Sequence, residues 1–174
     1  MGTRIKTGTL SAMDVAGYII VAFYGKDKEV DEGISEGVSN LKLQKLLYFC
    51  QAFSLAKLNR QMFGENLYAW KYGPVVGEVY EKYKMYKNDP LSDQEAEHYA
   101  AGVPEADRKI IDEVLEMFGG YSAIRLMEIT HSHKPWKDLK KRVEKGERDV
   151  VISQEAIQKY YKPILSGEYV SNQS

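Results

Sequence analysis

The sequence predicts a mainly α-helical domain, an irregular bundle of about six or seven helices, with room for one short extended pair near residues 63–70. Three observations lead there. Apolar residues recur at helical spacing along most of the chain. Most of those stretches follow a Ser, Asn or Pro placed where a helix begins. One stretch, LKLQKLLYFCQAFSLAKLN, is apolar around most of its girth, as a central helix with neighbours on several sides would be.

Taken in order, Ser11 with Asp14 forms the first start signal, and Ala12, Ala16, Ile19, Ile20 and Phe23 make the stripe behind it. Gly25 should end that helix, and KDKEVDEGISEG reads as a mobile polar loop. Ser39 or Asn40 opens the central helix, which should stop near Asn59. The aromatic string NLYAWKYG comes next, and Pro74 stands where the first residue of another helix belongs. Val76, Val79, Tyr80 and Tyr83 line that helix to about Tyr86. NDPLSD breaks the chain. Pro104 begins a helix with a buried face of Ile110, Ile111, Val114, Leu115 and Phe118, and Gly119 and Gly120 are placed to close it in the left-handed conformation. Ser122 caps a short helix to about Thr130. Pro135 starts a basic amphipathic one, WKDLKKRVEK. Ser153 caps the last, which Pro163 should disturb near its end.

At 174 residues, 44% hydrophobic and 28% charged, the chain suits one globular core. Lys plus Arg number 24 and Asp plus Glu 25, a net charge of −1, so the basic excess of a general nucleic-acid binder is missing and nucleic acid is not an expected partner. A single cysteine, Cys50 in the apolar run LLYFCQAF, excludes an internal disulfide and reads as a small buried hydrophobe. The N-terminus shows no signal core, and VAGYIIVAFYG is too short to span a bilayer, so the expected location is the cytoplasm, with no membrane partner.

Several strings imitate enzyme motifs. Ser54-Leu-Ala-Lys57 matches S-x-x-K and Lys6-Thr7-Gly8 matches K-T-G, but in the wrong order and without S-D-N. Asp27, Glu29 and Asp31 start a calcium-loop pattern that fails at Glu32 and Val38. No phosphate-binding glycine loop and no nucleophile elbow is present. "ITHSHKPW" carries His131 and His133 in an H-x-H spacing, two of the three or four ligands a zinc site needs, and no further set completes it. Its structural reading is a joint: His131 near a helix end, Pro135 restarting the chain, and Trp136 anchoring the next helix.

Three strings then stand together in one order: LKLQKLLYFCQAF, AWKYGPVVGEVYEKYK and YSAIRLMEITHSHKPW. Together they resemble the Panacea domain, the SocA-like antitoxin family also known as phage-associated proteins. The likeness runs from near Asp14 to near Tyr161, which implies a domain of residues 9–165 and leaves residues 166–174 as a flexible tail. The family's pattern falls on Lys45, Leu46 and Tyr48. It falls on Trp70, Tyr72, Gly73, Pro74, Val75, Val76 and Tyr80. It falls finally on Thr130, His131, Pro135 and Trp136, while Gly77 stands where such proteins often have Pro.

The resemblance implies a non-enzymatic antitoxin, often encoded in prophages, without a cofactor. It would neutralise a cognate co-encoded toxin by direct contact, one branch acting as an adaptor to an ATP-dependent protease. The residues expected to serve partner binding are Trp70, Tyr72, Gly73, Pro74, Tyr80, Tyr83, His131 and Trp136, with Tyr83 and Tyr86 expected to stay exposed. Two other readings remain: a small metal-dependent hydrolase using His131 and His133, and a phage-encoded regulator that touches DNA through the basic stretch 134–148.

Overall fold

The computed structural model describes Ile5 and residues 10–27 and 37–167. It is mainly helical with a small antiparallel sheet, as the sequence predicts. The polar loop expected after the first helix falls on residues 28–36, and most of the expected tail on residues 168–174. Both stretches lie outside the described residues.

Helix α1 (Ala12–Asp27) begins at a reciprocal cap: the Asp14 N–H donates to Ser11 Oγ at 3.1 Å and the Ser11 N–H to Asp14 Oδ2 at 2.9 Å. It runs two residues past Gly25. Its apolar side packs on α4 (Ala96–Ala101), a helix absent from the sequence expectation because six residues are too few to show a period. Gly17 makes that contact close, since a Cβ there would sit 2.6 Å from Tyr99 Cβ.

The organising element is α2 (Asn40–Leu58). Ser39 caps it by accepting the Lys42 N–H, and Asn59 ends it at φ 51° in the left-handed region. Residues 42–55 of α2 are buried without interruption. Its apolar side chains meet α5 (Glu105–Phe118) and α9 (Gln154–Leu165); Phe49 stacks on Phe118 with ring centres 4.1 Å apart. Cys50 is buried among them, and burial pushes its thiol well above the ordinary range. Asp107, buried at the start of α5, pairs with Arg60 at 2.8 Å.

Two buried polar residues of α2, Gln51 and Ser54, bind the backbone of the segment that follows the helix. Gln51 donates to the Phe63 carbonyl at 2.8 Å and accepts the Met62 and Phe63 N–H groups at 2.7 and 3.3 Å. Ser54 donates to the Arg60 carbonyl at 2.8 Å. Buried backbone groups need such partners, and here one helix supplies them to its surroundings.

The sheet has the order β2–β1–β3, with β1 (Leu67–Trp70) between β2 (Gly73–Val75) and β3 (Val151–Ile152). Pro74 is therefore not the first residue of a helix. It lies opposite Ala69 in the edge strand β2, where a residue without an N–H is tolerated. Helix α3 (Gly77–Tyr83) starts three residues later and passes into a 3₁₀ turn, Lys84–Tyr86.

Gly119 ends α5 in the right-handed region at φ −61°, not the left-handed one expected of it, and Gly120 also lacks a positive φ. Ser122 caps α6 (Ala123–Ser132) by accepting the Arg125 N–H at 3.1 Å. The single basic helix expected after Pro135 is two short pieces, α7 (Lys134–Lys137) and α8 (Lys140–Glu144), because the chain turns at Leu139 once Trp136 is buried. Ser153 caps α9, which continues through Pro163 to Leu165; the proline costs one backbone bond near the end, while Ile157 and Tyr161 hold the helix on the core.

Replacing Gln51 with Leu strands the Met62 and Phe63 backbone groups in a dry interior. Chemical denaturation should record a loss of about 3 kcal/mol of stability. Gln158 on α9 is half-buried and donates to the Leu55 carbonyl at 2.9 Å, and Gln158→Leu should cost under about 1 kcal/mol. Equal losses at the two positions would contradict the stapling role of Gln51.

Candidate functional site

Four elements meet at the β1–β2 hairpin, and a lysine lies under it. Lys45 projects from α2, is 0% exposed, and donates from Nζ to the Pro74 carbonyl at 2.9 Å. Among the described residues no carboxylate pairs with it. An ammonium out of water without a counterion is disfavoured, so burial lowers its pKa from 10.5 to about 7.

The turn above it is built to fit. Gly73 has φ +102°, a conformation that side-chain-bearing residues avoid. A Cβ at Gly73 would lie 2.7 Å from Lys45 Cε and 2.9 Å from Thr130 Oγ1. Thr130 is fully buried and donates to the Met127 carbonyl at 2.8 Å, which holds its side chain under the hairpin.

Neighbouring residues complete the clamp. Gln44 accepts the Val76 N–H at 2.9 Å and donates to Asn40 Oδ1 at 3.0 Å, and Asn40 donates to the Tyr80 carbonyl at 3.2 Å. From the α6–α7 joint, buried Trp136 donates its indole N–H to the Trp70 carbonyl at 2.9 Å. The His131 ring stacks on Trp136, centres 3.9 Å apart and planes 20° from parallel. Trp70 meets Tyr80 edge to face at 4.9 Å.

The two histidines of the joint part company. His131 faces Trp136 and the hairpin; its pKa is lowered first by burial, then by the nearby charges of Lys45 and Lys140, with the Lys71 backbone acting the other way. Its Nε2 is buried without a hydrogen-bond partner among the described residues. His133 turns inward, its Nδ1 2.7 Å from the Tyr161 hydroxyl, and burial lowers its pKa too. Among the described residues no group of three or more His, Cys, Asp and Glu is placed to hold a metal ion.

The expected partner-binding residues thus divide by role. Tyr72, 56% exposed at the hairpin tip, offers itself to a partner, with Lys71 over its ring at 5.4 Å. Trp70, Tyr80 and His131 are half-buried. Gly73, Pro74 and Trp136 are buried and shape the hairpin from beneath. Tyr83 corrects its expectation: it is 2% exposed, and its hydroxyl donates to Asp93, because the start of α3 at Gly77 turns that position inward. Tyr86 is half-buried, its hydroxyl on the Ser92 carbonyl.

Two depressions flank the tip. A groove of about 920 Å³ runs between Trp70, Tyr72, Val75, Tyr80, Ile124 and Met127. A second, of about 570 Å³, is bounded by Lys71, His131, Trp136, Lys137 and Lys140. Ile124 is 56% exposed, and neither it nor Met127 is among the residues expected to bind a partner. A signal does exist: Ile124, Met127 and His131 occupy i, i+3, i+7 and share one face of α6. In the basic stretch, Lys134–Asp138, Lys140–Glu144 and Arg142–Glu147 form exposed pairs that add little stability.

Residues 43–137 match the family described as Antitoxin SocA-like, Panacea domain. The chain is also similar to a protein named Antitoxin SocA from Caulobacter vibrioides (strain NA1000 / CB15N), 36% identical over 113 residues. That stretch covers 57% of this chain and 58% of the relative, so the likeness spans less than two thirds of either. No solved structure matches. No helix among the described residues is long and apolar enough to cross a membrane.

Two outcomes test the clamp. The folded value of Lys45 lies below that of the unfolded chain, so between about 7 and 10.5 the unfolded state holds more protons. The contribution of Lys45 to stability should therefore improve as pH rises through that window, and the full cost of burying charge is felt below it. The stability of wild type relative to Lys45→Met should rise with pH across that window; parallel pH profiles would contradict this. Separately, Gly73→Ala should lower stability by about 2 kcal/mol. Gly64→Ala, where an added carbon meets nothing within 4 Å, serves as the control and should stay near wild type.

Proposed function

Because the chain belongs to the SocA-like Panacea antitoxin family, we propose that it is a non-enzymatic antitoxin that neutralises a co-encoded toxin by direct protein contact. One observation carries the proposal. Family-pattern residues from three separate segments, Lys45, the Trp70–Tyr72–Gly73–Pro74 string and Thr130–His131–Trp136, converge on a single surface feature, the hairpin tip and its flanking depressions. The name of the relative supports the direction of the effect.

The physical logic is that of an interface anchor. Exposed Tyr72 and the half-buried Trp70 and Tyr80 are residue types that concentrate binding energy, and the elements beneath hold them rigidly. A rigid face loses little conformational entropy on association. The site of action is the cytoplasm, where a co-encoded toxin is made. Delivery of the captured toxin to an ATP-dependent protease is a second mode of the same reading; the toxin's lifetime in cells lacking that protease separates the modes.

Expression of the neighbouring open reading frame alone should arrest growth, and co-expression of this chain should restore it. Tyr72→Asp, which alters an exposed tip and leaves the core untouched, should abolish the rescue while melting at the wild-type temperature. A harmless neighbour, or full rescue by the Tyr72→Asp chain, would overturn the proposal.

A further inference from the structure

The two depressions differ in chemistry. The larger is walled by apolar side chains, Trp70, Val75, Ile124 and Met127 among them. The smaller is cationic: Lys71, Lys137 and Lys140 surround the stacked His131 and Trp136 rings, with Glu144 the one carboxylate on its rim among the described residues. Lys71 and Val143 border both, so the two read as adjoining halves of one surface.

The cations there are largely uncommitted. Lys71 and Lys137 have no carboxylate partner among the described residues, and Lys140 reaches only Glu144, at 3.6 Å and in the open. At the far rim of the apolar groove Lys87 and Arg148 are likewise without ion pairs among the described residues, while Glu147 is engaged by Arg142. Asp149 and Lys84 also reach that rim; Lys84 is paired with Glu81. Local positive charge is thus in excess on a chain whose net charge is −1.

Resting on the antitoxin reading, we infer that the toxin presents one acidic amphipathic segment to this surface, its apolar side chains seated in the groove of Trp70, Tyr72, Ile124 and Met127 and its carboxylates against Lys71, Lys137 and Lys140. An apolar floor with cations at its borders complements such a segment on both counts. A nucleic-acid backbone fits less well: it calls for a stripe of cations along the contact, and here the longer part of the surface is apolar. The arrangement also gives a built-in reporter. A carboxylate placed in the smaller depression favours protonated His131, offsetting the burial and the lysine charges that lower its pKa.

The test uses the full chain and two fluorescent peptides, one bearing aromatic residues among glutamates and its counterpart with lysine at each glutamate. By anisotropy the acidic peptide should bind and the basic one should not. The exposed pair Lys71→Glu and Lys137→Glu should weaken the acidic peptide about tenfold or more and admit the basic one. Ile124→Asp should remove binding of the acidic peptide while the chain stays folded. The His131 ring, followed by NMR, should titrate at higher pH when the acidic peptide is bound. Equal binding of both peptides, indifference to charge reversal, an unmoved His131, or displacement of the peptide by a DNA duplex would each overturn the inference. The neighbour-encoded protein separates this failure from that of the antitoxin reading. If it binds wild type and the reversed chain alike, the surface is wrong and the antitoxin reading stands. If it never binds while the acidic peptide does, the antitoxin reading fails and the surface chemistry stands.

Discussion

A lysine buried without a counterion among the described residues is the constraint around which this molecule is arranged. Lys45 cannot reach water, and the Pro74 carbonyl is the partner its Nζ has. For that bond to form, the chain must turn tightly over α2, and the turn must contain a residue that accepts φ +102° and leaves room for the lysine stem. Gly73 meets both demands. Pro74 then suits the edge strand, Gln44 takes up the Val76 N–H, and Trp136 seals the far side through the Trp70 carbonyl. A buried lysine is an expensive way to hold a turn when a hydrophobic residue would fill the same space. Its position under the family-patterned surface fits a residue that serves the shape of that surface more than the stability of the whole.

The same principle extends along α2. Asn40, Gln44, Lys45, Gln51 and Ser54 are polar residues on a helix with neighbours on all sides, and their side chains bond to backbone beyond α2 or to one another. The helix therefore does two jobs. Its apolar residues form the core with α5 and α9, and its polar residues specify how the neighbouring segments lie on it. The proposed function rests on the second job, because those segments carry Trp70, Tyr72 and walls of both depressions.

Much of this was legible in the sequence. Ser11, Ser122 and Ser153 cap the helices they are expected to cap, and of the two candidates Ser39 and Asn40 it is Ser39 that caps α2, since a hydroxyl before an apolar stripe has a local physical cause. The joint was legible in ITHSHKPW, and the hairpin only in part: the extended pair expected near residues 63–70 overlaps β1, while its partner β2 lies at Gly73–Val75. The features that escaped are set by tertiary contact. Pro74 has the same chemistry at a helix start as in an edge strand, and only its partner Ala69 decides between them. Tyr83 lies on a stripe that could face either way until α3 is known to begin at Gly77. Ile124 is an apolar residue on a short helix, and its exposure is decided by which face of α6 packs inward through Leu126 and Thr130. The cationic depression joins Lys71 to Lys137 and Lys140, and no local pattern announces a pairing across that distance in sequence.

The central claim is that Lys45 organises the hairpin face locally. Hydrogen–deuterium exchange on wild type and Lys45→Met reads it most directly. The account predicts faster exchange confined to the amides of residues 69–76 and of the Trp136 joint, with α1, α4 and α5 unchanged. Loss of protection spread evenly over all helices, or no change at the hairpin, would contradict it.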